Sequence, residues 1–193
     1  LIQKFRMYHD PNASNFIADI IIAVDDGKTV ILDLGNSNPE VMDYFSDELT
    51  SEIFSHQVDK FTNNSLRNHF VQLYFEEAHN LFPAKDDEIN IYRRVAKEGA
   101  KYNIGMVYST QSVTSINRDL LAQTENFFIT HMSSQEEVNV LAKLNFAYES
   151  LKDDILKTKT PGYVRMLTRS NRFVVPVQTR KFSAPSADSA KQN

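Results

Sequence analysis

The sequence predicts an α/β fold with a mostly parallel sheet flanked by helices, and three observations carry that expectation. Short runs rich in Ile, Val and aromatic residues alternate with stretches whose apolar residues recur at three- and four-residue steps. One run, Thr29 to Leu34 (TVILDL), is apolar on both faces, as inner strands of a covered parallel sheet are. Periodicity alone does not separate that run from a short buried helix. The 193 residues, 41% of them hydrophobic, suit a single core or an incomplete one.

In chain order, Ile17 to Val24 (IADIIIAV) reads as the first strand. Asp25-Asp26-Gly27-Lys28, with its Asp-Gly turn signal, joins it to Thr29–Leu34 as a hairpin. Asn38-Pro39-Glu40 supplies an N-cap, a proline at the first helical position and an early acid. The helix it opens places Met42, Phe45, Leu49, Ile53, Phe54, Val58 and Phe61 on one face. Thr62-Asn63-Asn64-Ser65 ends it, and Phe70 to Phe75 is the next strand.

After a polar loop at Lys85-Asp86-Asp87, Glu88 to Lys101 carries Ile89, Tyr92, Val95, Ala96 and Ala100 on a helical stripe. Ile104 to Tyr108 is a strand, Leu120 and Leu121 lie in a short helix, and Phe127 to Thr130 is a strand. Ser134-Gln135-Glu136-Glu137 forms a capping-box pattern ahead of Val138, Leu141 and Leu144. A helix over about Ser150 to Lys157 precedes a closing strand pair, Gly162 to Leu167 and Arg172 to Val177. No internal repeat is present, and the small polar stretch from Ser183 onward is expected to be disordered.

Composition excludes several classes. With 21 Lys+Arg against 25 Asp+Glu, the net charge of −4 is no general footprint for nucleic acid or an anionic membrane, so any DNA contact must be local. The absence of cysteine removes disulfide scaffolds, Cys-based zinc sites and thiol nucleophiles, and it fits a reducing, cytoplasmic setting. No apolar run approaches the roughly 18 residues that span a bilayer. No secretory leader pattern opens the chain, and Leu1 in place of Met reads as a cut end. His9, His56, His69, His79 and His131 form no metal-ligand pair, and no G-x-S-x-G elbow occurs.

The most informative stretch is Phe70-Val71-Gln72-Leu73-Tyr74-Phe75-Glu76-Glu77-Ala78-His79-Asn80, an apolar strand that runs into two adjacent carboxylates. Buried carboxylates need a partner, and the carboxyl end of such a strand is where open α/β sheets bind ligands. Neighbouring strand residues point to opposite sides, which gives the two acids different surroundings. In nucleoside triphosphatases such a pair divides into a metal-holding acid and a water-orienting one. An exposed acidic start to a loop would look the same. His79 fits packing, or a hydrogen bond that couples the acids to their neighbourhood.

Downstream come the helix Arg93 to Tyr102 (RRVAKEGAKY) and the strand Ile104 to Gln111 (IGMVYSTQ). With EEAHNLFP at Glu76 to Pro83, KTVILDLG at Lys28 to Gly35 and the segment Leu120 to Leu144, their order and spacing resemble the C-terminal half of the motor domain of HerA-type ATPases. These belong to the HerA and FtsK branch of the P-loop NTPases. The resemblance spans roughly Ile17 to Val177. It implies a RecA-like P-loop NTPase core, in which residues 17–182 are the C-terminal portion of the ATPase domain, 1–16 an N-terminal segment and 183–193 a disordered tail.

The resemblance also implies roles. Glu76 would bind Mg²⁺ through water, where the family usually has a shorter acid, and Glu77 would activate the attacking water. Gln111 would sense the γ-phosphate of ATP, although a solvated strand end also fits. Arg94 is the better candidate for a finger reaching a neighbouring subunit's nucleotide. Lys97 and Lys101, where many relatives have Arg, cannot make a bidentate guanidinium contact. Arg93, Lys97 and Lys101, spaced four apart, also fit a solvated face. Relatives often continue after Gln111 with Arg-Pro, whereas this chain has Ser112-Val113. Arg118 lies close by, yet nothing in the spacing shows that it substitutes.

None of Gly27, Gly35, Gly99, Gly105 and Gly162 begins a G-x-x-x-x-G-K-[ST] phosphate loop. Alone, these residues are expected not to hydrolyse ATP. The leading expectation is half the motor of an ATP-driven DNA translocase or helicase. It forms a homo-hexameric ring, works with a nuclease or other effector, and needs no membrane. The alternatives are a conjugation or type IV secretion ATPase, or a ring scaffold without catalysis.

Overall fold

The computed structural model describes residues 15–34, 38–84 and 90–183. Gly35, His9, the Lys85–Asp87 loop, Glu88, Ile89 and the tail beyond Ser183 lie outside them, as does nearly all of the segment 1–16. The chain divides into two compact units. The first runs to Thr110 and adds Ile116–Leu120, and the second holds Gln111–Ser115 and everything from Leu121 onward.

The first unit is built on α1 (Phe16–Asp25), α2 (Pro39–Thr62), β1 (Val71–Phe75), α3 (Ile91–Glu98) and β2 (Ile104–Tyr108). β1 and β2 pair in parallel, with Val71 opposite Ile104 and Phe75 opposite Tyr108. Phe54 of α2, Val95 of α3, Tyr102 and Ile104 form the core against them. Asn38 caps α2 as expected, its Oδ1 accepting from Glu40 N at 2.9 Å, with Pro39 behind it. Buried Gln57 donates to the Tyr102 carbonyl at 3.0 Å, which satisfies an amide that would otherwise be costly in that core. α3 continues to Tyr102 as a 3₁₀ turn, so the expected helix is shorter and tighter at its end.

Two expected strands are absent. Ile17 to Val24 lies within helix α1, where Ile17, Ile20, Ile21 and Val24 recur at helical steps and are half-buried while Ile22 is exposed. The helical period was present in the run, but Ile-rich composition masked it. Asp25-Asp26-Gly27-Lys28 is therefore a helix stop and not a hairpin turn. Lys28 N donates to Ala23 O and Gly27 N to Val24 O, both at 2.9 Å, and Gly27 takes φ +73°. Asp25 then ties α1 to α2, accepting from Lys60 Nζ and meeting His56 Nε2 at 2.8 Å each. Thr29 to Leu34 enters no strand, and Ile31 is 89% exposed. A strand exists only by pairing, and among the described residues no strand pairs with this run.

The second unit contains β3 (Phe127–Ile129), α5 (Gln135–Leu144), α6 (Lys152–Lys157), β4 (Tyr163–Leu167) and β5 (Val175–Gln178), after the short helix α4 (Arg118–Gln123) that begins in the first. The closing strands pair as expected, antiparallel, and β4 is the middle of a three-stranded antiparallel sheet between β3 and β5. Val138, Leu141, Tyr148, Ile155 and Leu167 are its buried core. Within it Arg165 is 1% exposed. Its Nε donates to Asp154 Oδ2 at 2.6 Å, its Nη2 to the Asp154 carbonyl at 2.8 Å, and its guanidinium lies 4.6 Å from the Tyr163 ring centroid.

Candidate active site

The parallel pairing of β1 and β2 determines what surrounds the acids. Beyond the strand ends, Ser109 N donates to Phe75 O and Ala78 N to Ser109 O, both at 2.9 Å. The polar end of β2 therefore runs beside Glu76 and Glu77. Ser109 Oγ donates to Glu76 Oε2 in a short contact, while the Glu76 side chain stays exposed to solvent.

Glu77 leaves the strand altogether. Its backbone is left-handed, φ +48° and ψ +47°, and it caps a 3₁₀ turn over Ala78–Asn80. A non-glycine residue there is strained, and such strain clusters at functional positions. The two acids thus differ because a left-handed turn separates them, a correction to the expectation that strand alternation would do so. Glu77 is half-buried, and Ala78 beside it is 0% exposed.

His79 bridges this turn to the residues that follow β2. Its Nδ1 lies 3.4 Å from Glu77 Oε2 and 3.3 Å from Thr110 Oγ1, the coupling role anticipated for it. Below the turn an aromatic cluster holds the loop. The Phe82 ring packs at 4.6 Å from Tyr92, 5.3 Å from Phe75 and 5.9 Å from Tyr108. The Phe82 carbonyl accepts from Asn117 N at 2.9 Å, and Pro83 bridges to Ile116. Burial, with Asp47 and Asp43 close by, pushes the Tyr92 hydroxyl well above its ordinary range, so it stays protonated.

The basic face of α3 is more structured than a solvated one. Arg93 donates to Asp119 at 2.5 Å, and Lys97 reaches the same carboxylate at 3.4 Å. The Arg93 hydrogen bond, followed by that of Lys97, holds the Asp119 carboxyl below its usual range. Lys101 lies 5.2 Å from the ring centroids of Phe61 and Tyr102. Arg94 has its guanidinium 4.5 Å from the Phe54 ring centroid and its Nε 3.6 Å from Glu98, with a side chain 51% exposed. Gln111 is exposed and opens the Gln111–Ser115 segment of the second unit.

The structure thus gathers Glu76 and Glu77 with His79, Ser109 and Thr110, and holds Arg94 on the α3 surface. Sequence reasoning missed Ser109 and Thr110. The available signal was the polar Ser-Thr pair ending the strand that lies parallel to the acidic one.

Two carboxylates and a hydroxyl are hard oxygen donors, which suit a magnesium ion that keeps several waters and shares substrate phosphates. Among the described residues no group of three or more His, Cys, Asp or Glu could hold a metal by itself. Nor is any helix among them long and apolar enough to cross a membrane.

No family model and no curated protein matches the chain. Its structure is similar to that of the genome packaging NTPase B204 from Sulfolobus turreted icosahedral virus 2. Against the complex with ATP-gammaS the TM-score is 0.60 at 16% identity, covering 86% of this chain and 71% of that one. The complex with AMP gives 0.60 at 15% identity, and the sulfate complex 0.61 at 14%, each covering 85% and 71%. At these identities the likeness is one of fold, a mixed α/β fold with a parallel sheet flanked by helices.

Proposed function

We propose that the chain carries the metal- and water-handling part of an ATP-hydrolysing motor, and that the motor is a DNA translocase resembling HerA. One observation carries the reading: two adjacent carboxylates at the carboxyl end of a parallel strand, the second in a strained left-handed turn, followed by a buried alanine and with a histidine nitrogen 3.4 Å from its carboxylate. Strain at such a place is retained where geometry matters more than stability.

Bound Mg²⁺ would neutralise charge on the ATP phosphates. Glu76, exposed and steadied by Ser109, would face the ion's water shell. Glu77 would accept a hydrogen bond from the attacking water and orient it, with His79 limiting its rotation. Gln111 would read the γ-phosphate. Arg94, on a half-exposed surface, would reach a neighbouring subunit's nucleotide in a ring, with hexamer as the expected order. The phosphate-cradling loop would come from outside these 193 residues, so the chain by itself would not turn over ATP. A nuclease or other effector would ride on the ring, in the cytoplasm. A nucleic-acid cargo is in keeping with genome packaging, the work of the NTPase whose fold this chain shares.

The test is Glu77→Gln in the native protein. Hydrolysis is expected to fall on the order of 10²- to 10⁴-fold while ATP binding persists. An unchanged rate overturns the assignment. Stimulation of the wild-type rate by duplex DNA, weakening as salt rises, supports the DNA motor, and indifference to DNA overturns that part.

A further inference from the structure

Glu137 is the third residue of α5, where a capping box would turn its carboxylate back toward Ser134. Ser134 performs its half, its Oγ accepting from Glu137 N at 3.5 Å. The Glu137 carboxylate goes elsewhere. Its Oε1 accepts from Thr114 Oγ1 at 2.6 Å and Ser112 Oγ at 2.8 Å, and its Oε2 accepts from Thr114 N at 2.9 Å. Ser112 Oγ also meets Ser115 Oγ at 2.8 Å and Thr114 Oγ1 at 3.2 Å. Burial would raise the Glu137 pKa, yet the donors from Thr114, Ser112 and Val113 outweigh it and hold the carboxylate below its usual range.

One half-buried carboxylate therefore organises the whole turn that follows Gln111, all within the second unit. No proline stiffens this point, where the chain has Ser112-Val113. We infer that Glu137 is a positioning residue for Gln111: its carboxylate fixes the Ser112–Ser115 turn and thereby the direction in which Gln111 leaves the chain. This rests on the nucleotide-sensing role proposed above for Gln111. The turn itself can be tested without it.

The experiment has two readouts in the native protein. In Glu137→Ala, amide exchange at Thr114 is expected to accelerate at least about tenfold while Leu141, in the core of α5, stays protected. Glu137→Gln is expected to recover most of that protection, because its carbonyl can accept from Thr114 N and its amide can donate to a hydroxyl. In hydrolysis, Glu137→Ala is expected to lower kcat about as far as Gln111→Ala, with ATP KM changed less than about twofold. The double variant is expected to be no slower than Gln111→Ala alone, as for residues acting through one another.

Unaltered Thr114 exchange in Glu137→Ala overturns the clamp. Multiplying losses in the double variant overturn the positioning role. A normal kcat in Gln111→Ala overturns the sensing role, and the positioning role with it, while Thr114 exchange still reports on the turn separately.

Discussion

Glu76 and Glu77 in the first unit and Glu137 and Asp154 in the second are all carboxylates near the ends of regular elements, yet their surroundings are opposite. Glu137 and Asp154 are surrounded by donors: two hydroxyls and a backbone amide for one, a guanidinium and a threonine hydroxyl for the other. Glu76 is exposed with the Ser109 hydroxyl beside it, and Glu77 sits in a strained backbone. A carboxylate that has collected donors is committed to structure. Glu76, exposed beside that hydroxyl, keeps its carboxylate facing water, and Glu77 is held in place at some conformational expense.

That contrast can be broken or sharpened. The largest effect is expected from Glu77→Gln, the loss of hydrolysis given above, with a melting temperature close to wild type. A melting temperature several degrees lower would place Glu77 among the structural acids. Next is Asp154→Ala, which leaves Arg165 buried without its carboxylate. Breaking a buried pair costs about 3–5 kcal/mol, and because Asp154 is 41% exposed the loss should lie near the low end, read from denaturant midpoints.

Glu77→Gly should do the opposite. Glycine adopts the left-handed backbone without strain, so stability should rise by about 1 kcal/mol as hydrolysis collapses. A destabilised glycine variant would mean that the turn is held by the Glu77 side chain and is not strained.

Acid should separate the two kinds of carboxylate more gently. Asp154 is held below its usual range first by its hydrogen bond from Arg165, and Glu137 by donors that outweigh its burial. Carboxyls depressed in the fold stabilise it above their unfolded values, and that stability is lost as pH falls through their lower folded values. Resistance to thermal unfolding should therefore drop as pH falls below the ordinary carboxylate range. Glu137→Gln combined with Asp154→Asn should flatten the profile. The smallest effect is expected from Ser109→Ala: stability within about 0.5 kcal/mol, since the contact is exposed, with a modest drop in hydrolysis.

The sequence showed most clearly the features that local chemistry enforces. Asn38-Pro39 marked the start of α2, Thr62-Asn63 its end, and the strands at Val71–Phe75 and Ile104–Tyr108 stood out by composition. Ile17 to Val24 misled because β-branched density and a three-four period coexist in eight residues, and only packing against α2 decides between them. Thr29 to Leu34 misled because strand propensity says nothing about whether a partner lies alongside.

At the site the two acids were legible as a pair. The left-handed turn at Glu77 was not, since no glycine or asparagine announced it. The diversion of Glu137 was invisible because a capping box predicts a local partner, and the hydroxyls of Ser112 and Thr114 compete for it from more than twenty positions upstream.

The parallel register of β1 and β2 has a kinetic corollary. β4 and β5 are joined by a short antiparallel connection and can zip from their turn, whereas Val71 must find Ile104 across the whole of α3 before any bond between β1 and β2 can form. Ser109 reaches Glu76 only after that closure. During refolding the acidic turn should therefore acquire its surroundings late, after the β4–β5 hairpin has become protected, so that pulse-labelled amides of Ala78 and Ser109 lag behind those of Val164 and Met166.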